Sequence, residues 1–163
     1  MSQAMHDILR VVVLGIGATA VMDLWLLFLQ RMKVPALKFG LVGRWVGHWV
    51  RGKWAHDSIA AAPPIRGEVA LGWLVHYAVG VAFAGLLLAT CGMAWMRHPT
   101  LSAAIAVGIG SVVAPFFIMQ PAMGAGIASS RTAAPLRNCL RSLMSHTVFG
   151  VGLYLSARLI AAM

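Results

Sequence analysis

Asp23, His76 and His146 each stand inside an apolar run of the chain. A carboxylate or an imidazole at hydrocarbon depth is expensive, so each needs a partner or a use. A carboxylate with two neutral imidazoles can ligate Zn, Ni or Fe, and Met22, Met119 and Met144 nearby would add soft sulfur for Cu(I). The same trio can relay protons, because histidine titrates near neutrality and a neighbouring carboxylate tunes it. A third chemistry is bis-histidine ligation of a b-type haem by His76 and His146, two imidazoles at matched depth flanked by small residues. The plain alternative is structural. Asp23 would accept a hydrogen bond from one histidine while the other bonds a carbonyl or a serine, each contact contributing about 0.6–2 kcal/mol between membrane helices.

The elements that must position these groups follow from composition. Of 163 residues, 60% are hydrophobic and 10% charged, whereas a soluble domain carries about a quarter charged. Four apolar runs, near Arg10–Gln30, Val69–Gly92, Thr100–Gln120 and Asn138–Ala161, reach the roughly 20 residues that a membrane-spanning helix requires. The expected fold is therefore an all-α integral membrane protein, a single four-helix bundle over residues 1–163. Asp23, His76 and His146 each lie about seven residues from one end of their span, or roughly 10 Å into the hydrocarbon at 1.5 Å per residue. Gly15, Thr19 and Asp23 share one helix face, as do Gly72, His76 and Gly80, and Ser142, His146 and Gly150. Small residues on these faces let helices approach closely, so the polar face is expected to be the packed one.

The second and fourth runs also match each other at an offset of seventy residues. Gly72-Trp-Leu-Val-His76-Tyr-Ala-Val-Gly80-Val aligns with Ser142-Leu-Met-Ser-His146-Thr-Val-Phe-Gly150-Val, and Gly-Ile-Gly recurs at Gly15–Gly17 and Gly108–Gly110. The pattern suggests two tandem helical hairpins related by a pseudo-twofold axis.

The net charge of +9 is concentrated at one side of these spans. Arg31, Lys33, Lys38, Arg44, Arg51, Lys53 and Arg66 fall in the first loop (31–67), and Arg131, Arg137 and Arg141 flank the third. By the positive-inside rule both loops are cytoplasmic and both termini periplasmic. Cations this close to the spans point to anionic lipid headgroups, with Arg44, Arg51, Lys53 and Arg131 as the candidate contacts, and away from nucleic acid. Residues 41–51 have helical periodicity, with Leu41, Trp45 and Trp49 on one side and Arg44, His48 and Arg51 on the other, as expected of a helix lying in the interface. The glycine-rich third loop, Pro121–Thr132, which ends in hydroxyls and Arg131, offers a weaker phosphate or headgroup site. The stripes Ala104/Gly108 and Ala106/Gly110 would suit a homodimer.

No hydrolase-like order of nucleophile, base and acid is present, so a non-enzymatic role is expected. Met22-Asp-Leu-Trp25, Gly43-Arg-Trp45, His56-Asp-Ser-Ile-Ala60, Gly72–Tyr77, Met119-Gln-Pro121 and Phe149–Tyr154 together resemble a family of small bacterial inner-membrane proteins known only as a domain of unknown function. The resemblance covers nearly the whole chain and implies four transmembrane helices and a bacterial source, without an activity. The residues themselves lead first to a protein that binds or conducts a small cation, proton or transition metal, at Asp23, His76 and His146. A haem protein using His76 and His146, or a structural accessory subunit of a membrane complex, are the alternatives. The charge bias makes one direct prediction: a C-terminal reporter active only outside the cytoplasm is active, and one active only in the cytoplasm is silent. The opposite result reverses the orientation.

Overall fold

The computed structural model describes residues 2–34 and 38–162; residues 35–37 of the first loop lie outside it. It is all-helical among these residues. Four helices are long and apolar enough to cross a membrane: α1 (Gln3–Arg31), α3 (Glu68–Cys91), α4 (Leu101–Ala122) and α5 (Pro135–Ala161). A fifth, α2 (Phe39–His48), lies in the first loop and runs on through a tight 3₁₀ turn, Trp49–Arg51.

Helix α1 begins seven residues before the apolar run. The Ser2 hydroxyl accepts the Met5 amide and caps the first turn, so polar Gln3, His6 and Asp7 continue the helix beyond the hydrocarbon-length segment. Pro135 occupies the first position of α5, where its missing N–H costs nothing. Helix α4 is not uniform. Its regular part, Leu101–Gly110, gives way to a turn at Ser111–Val112 and to a wide π turn at Pro115–Met119. Pro115 and Pro121 remove two backbone donors within this stretch, which accounts for the departure from α geometry.

The chain divides into two compact units. The first comprises residues 1–35, 77–111 and 144–163, the second residues 36–76 and 112–143. In the first unit, Leu14, Ala18, Ala84, Leu87, Ala104, Leu153 and Ala157 are wholly buried, with Trp95 and Met96 of the short loop after α3 in the same cluster. Glycines set how closely the backbones meet. A Cβ on Gly150 would stand 2.8 Å from the Ala104 carbonyl oxygen and 3.0 Å from Ile105 Cα, and one on Gly80 would strike the Thr19 hydroxyl. The glycines at matching places in the repeat thus serve matching purposes, Gly80 against α1 and Gly150 against α4. Ala104 and Gly108, one of the two stripes expected to suit a homodimer, are used against α5 within the chain. Ala106 and Gly110 are exposed.

In the second unit Val42, Trp45, Ile59 and Met123 form the buried cluster. A Cβ on Gly43 would collide with the Glu68 carbonyl oxygen, and one on Gly72 with the Phe39 carbonyl oxygen. Large apolar side chains face outward on the long helices, among them Leu24, Phe28, Leu74, Phe117 and Leu159. A bilayer would cover such surfaces; water would not.

Gly150→Ala places its methyl against backbone that cannot yield, and is expected to cost about 1–3 kcal/mol of stability. Gly110→Ala meets nothing within 4 Å and serves as the matched control, expected to be neutral or slightly stabilising. Unfolding of the purified protein in mixed micelles reads the difference, and equal stability of the two variants would refute the close-contact account.

Candidate functional site: an intramembrane polar layer and a loop clamp

Asp23, two-thirds of the way along α1, is half-buried. Its Oδ2 accepts a hydrogen bond of 2.8 Å from the Tyr77 hydroxyl of α3. The glycine contacts one and two turns away, Gly80 on Thr19 and Gly15 on Val81, hold α1 and α3 near enough for a tyrosine to reach the carboxylate. Thr19 turns its hydroxyl back onto the Gly15 carbonyl at 2.8 Å, which satisfies it inside the interface.

His146 lies in the same unit and has a different partner. Its Nδ1 is 2.7 Å from Ser111 Oγ, and Ser111 is itself buried, donating to the Gly108 carbonyl at 2.6 Å. A hydroxyl has one hydrogen. With that hydrogen on the Gly108 carbonyl, Oγ accepts from His146 Nδ1–H. The break in α4 after Gly110 is thus the place where a serine fixes the tautomer of a histidine on α5.

His76 belongs to the second unit, where its ring packs on Phe39 at 4.3 Å between centroids and on Trp73 at 5.8 Å. Among the described residues, no three His, Cys, Asp or Glu side chains come together as a group that could hold a metal ion.

The basic residues expected to meet lipid divide in two. Arg51, Lys53 and Arg131 are exposed. Arg44 instead closes a clamp inside the second unit. Its Nε and Nη2 reach the two Glu68 carboxylate oxygens at 2.8 and 2.9 Å, and Nη1 donates to the carbonyls of Ile59, Ala60 and Ala62 at 3.5, 3.3 and 3.0 Å. Glu68 Oε2 also accepts the Ile65 amide at 3.2 Å. The polar side of α2 therefore faces the folded loop, with Arg44 half-buried and His48 4% exposed. The loop's carbonyls need donors and Arg44 supplies them, while Arg51 beyond it stays exposed. The glycine-rich third loop is likewise occupied with itself. The Ser130, Arg131 and Thr132 amides bond the Ile127, Ala125 and Ser129 carbonyls.

Reading the residues alone missed Tyr77, Ser111 and the Arg44–Glu68 pairing. Tyr77 adjoins His76 in the repeat, and Ser111 directly follows the Gly-Ile-Gly of the third run, so both had signals available. The long-range pairing of Arg44 with a glutamate 24 residues away had none.

Arg44→Lys keeps the charge but loses the fork and the carbonyl bonds, and is expected to lower the unfolding temperature. Thermal unfolding in detergent checks this. A shift no larger than that of Arg51→Lys on the exposed turn would show that the clamp contributes little.

No curated protein and no solved structure matches this chain. A family described as a protein of unknown function, DUF2938, matches residues 12–160, nearly the full length. The chain belongs to that family.

Proposed function

We propose that this is a bacterial inner-membrane protein, termini on the periplasmic side, that binds and passes protons through an intramembrane polar layer. The single observation that carries the reading is the 2.8 Å hydrogen bond from Tyr77 to Asp23, a carboxylate and a phenol held together inside helices of spanning length. A carboxylate there is costly to keep for packing alone, and a hydroxyl donor lowers the cost of its charged form. His146, hydrogen-bonded to Ser111 through Nδ1, adds a second titratable side chain in the same unit. Among cations, the proton suits these groups best, since it needs one acceptor at a time whereas a transition metal needs several ligands at once.

The test is proton movement in vesicles. Purified protein in liposomes containing a pH-sensitive dye, with a potassium gradient and valinomycin as the driving force, is expected to dissipate the imposed potential by proton entry. Asp23→Asn should reduce the rate at least about tenfold, the size of effect expected when a relay group is lost. Tyr77→Phe should reduce it less, because water can replace a lost hydroxyl donor. Wild-type vesicles no leakier than empty ones would reject the proposal and leave the accessory role.

A further inference from the structure

The second unit contains a pair of histidines outside this layer. His48, the last residue of α2, and His56, in the following loop, are 4% and 7% exposed, and their rings lie 4.9 Å apart. His48 Nε2 is 3.1 Å from the Pro63 carbonyl oxygen, and His48 Nδ1 is 2.8 Å from His56 Nε2. The direction of these bonds follows from chemistry. A carbonyl can only accept, so His48 carries its hydrogen on Nε2. Nδ1 of the neutral ring is then an acceptor, and His56 must donate to it through Nε2–H. The remaining lone pair of neutral His56 is left on Nδ1, a buried atom with no hydrogen-bond partner.

A metal ion cannot sit between the rings. Each nitrogen would stand about 2.0–2.1 Å from it, with the two nitrogens further apart than the 2.8 Å found. Nor is the couple a through-going wire. A proton arriving at His56 Nδ1 could push the Nε2 proton onto His48, but the last acceptor is the Pro63 carbonyl, which cannot take a proton up. The chain of bonds has an entrance and no exit.

We propose that the His48–His56 couple is a one-proton receptor, and that proton uptake at His56 Nδ1 undocks the 56–63 loop from α2. The neutral couple ties that loop to α2 through His48, and the His56 and Ile59 amides tie it to the Ala122 and Met123 carbonyls at 2.8 and 3.1 Å. The protonated couple would hold a cation in a buried place with its new N–H unanswered, a penalty of the kind that separates buried polar groups.

The surroundings disfavour the cation. Burial is the largest influence pushing His56 below the usual imidazole range; Lys53 and His48 act in the same direction, and Asp57 acts against them. From α2 the facing groups are His48 and Arg44, the latter neutralised by Glu68 at the start of α3, while Ala122 at the end of α4 and Met123 after it present their carbonyls. The docked loop therefore binds the proton less readily than the open one. Docking is at full strength above the ordinary imidazole value of about 6.5, and is lost as the pH falls below it through the lowered value.

Hydrogen–deuterium exchange on the full chain in detergent reads the docking directly. With intrinsic chemistry corrected for, opening at the His56 and Ile59 amides should rise about tenfold or more between roughly pH 7.5 and 5.5. His56→Gln, which cannot titrate, should give a ratio near one. Asp23→Asn should keep the wild-type ratio, which separates this device from the proton path proposed above. Should His56→Gln fail to fold, ¹⁵N-histidine spectra of the wild-type protein decide alone. Both rings as Nε2–H tautomers, with His56 titrating below the ordinary value, support the proposal. An Nδ1–H tautomer at His56, or pH-independent opening in the wild-type protein, overturns it.

Discussion

Inside a bilayer there is no hydrophobic drive between helices, so how closely two backbones can approach governs what else they can do. In this protein the approach is set by glycines. Gly15 and Gly80 bring α1 to α3, Gly108 and Gly150 bring α4 to α5, and Gly43 and Gly72 bring α2 onto the start of α3. Each polar contact of interest lies within a turn or two of one of these crossings. Tyr77 reaches Asp23 beside the Gly80 crossing, His146 reaches Ser111 beside the Gly108 crossing, and Arg44 reaches Glu68 beside the Gly43 crossing. A longer spacing at any of them would leave a charged or polar group in an apolar medium without its partner.

This dependence explains what could be read from the sequence. Span number and rough position were legible, because twenty apolar residues in a row have few other meanings. The helix starts were less so. Gln3–Leu9 and Pro135–Arg137 are helical through capping and a first-turn proline, signals that hydropathy does not register. The polar residues of the layer were visible as single anomalies at hydrocarbon depth. Their partners were not, since Tyr77 and Ser111 look ordinary and acquire meaning only through helix packing.

The first loop shows the larger gap. An amphipathic pattern at 41–51 suggested a helix floating at a surface, and a helix is indeed present. Periodicity cannot say what each side meets. The cationic side meets loop carbonyls and a carboxylate, because the thirteen residues of irregular chain from Lys53 to Ile65 bring more acceptors than they can satisfy themselves. His48 and Arg44 answer them, and a surface feature becomes the inside of a small folded unit.

The loop between α3 and α4 bears on how fast anything can reach the polar layer. Trp95 and Met96 are almost fully buried there and belong to the same cluster as Leu14, Leu87, Leu88 and Leu153. Trp95 is also tied by its indole nitrogen to the Thr100 hydroxyl at 3.1 Å. A water file entering from this end would have to cross this close-packed, mainly apolar cluster. Proton exchange with Asp23 from that end must therefore wait for the packing to open. Under the proposed proton path, passage would then be gated by a structural fluctuation, with the modest turnover and steep temperature dependence of a carrier in place of the fast conduction of a pore.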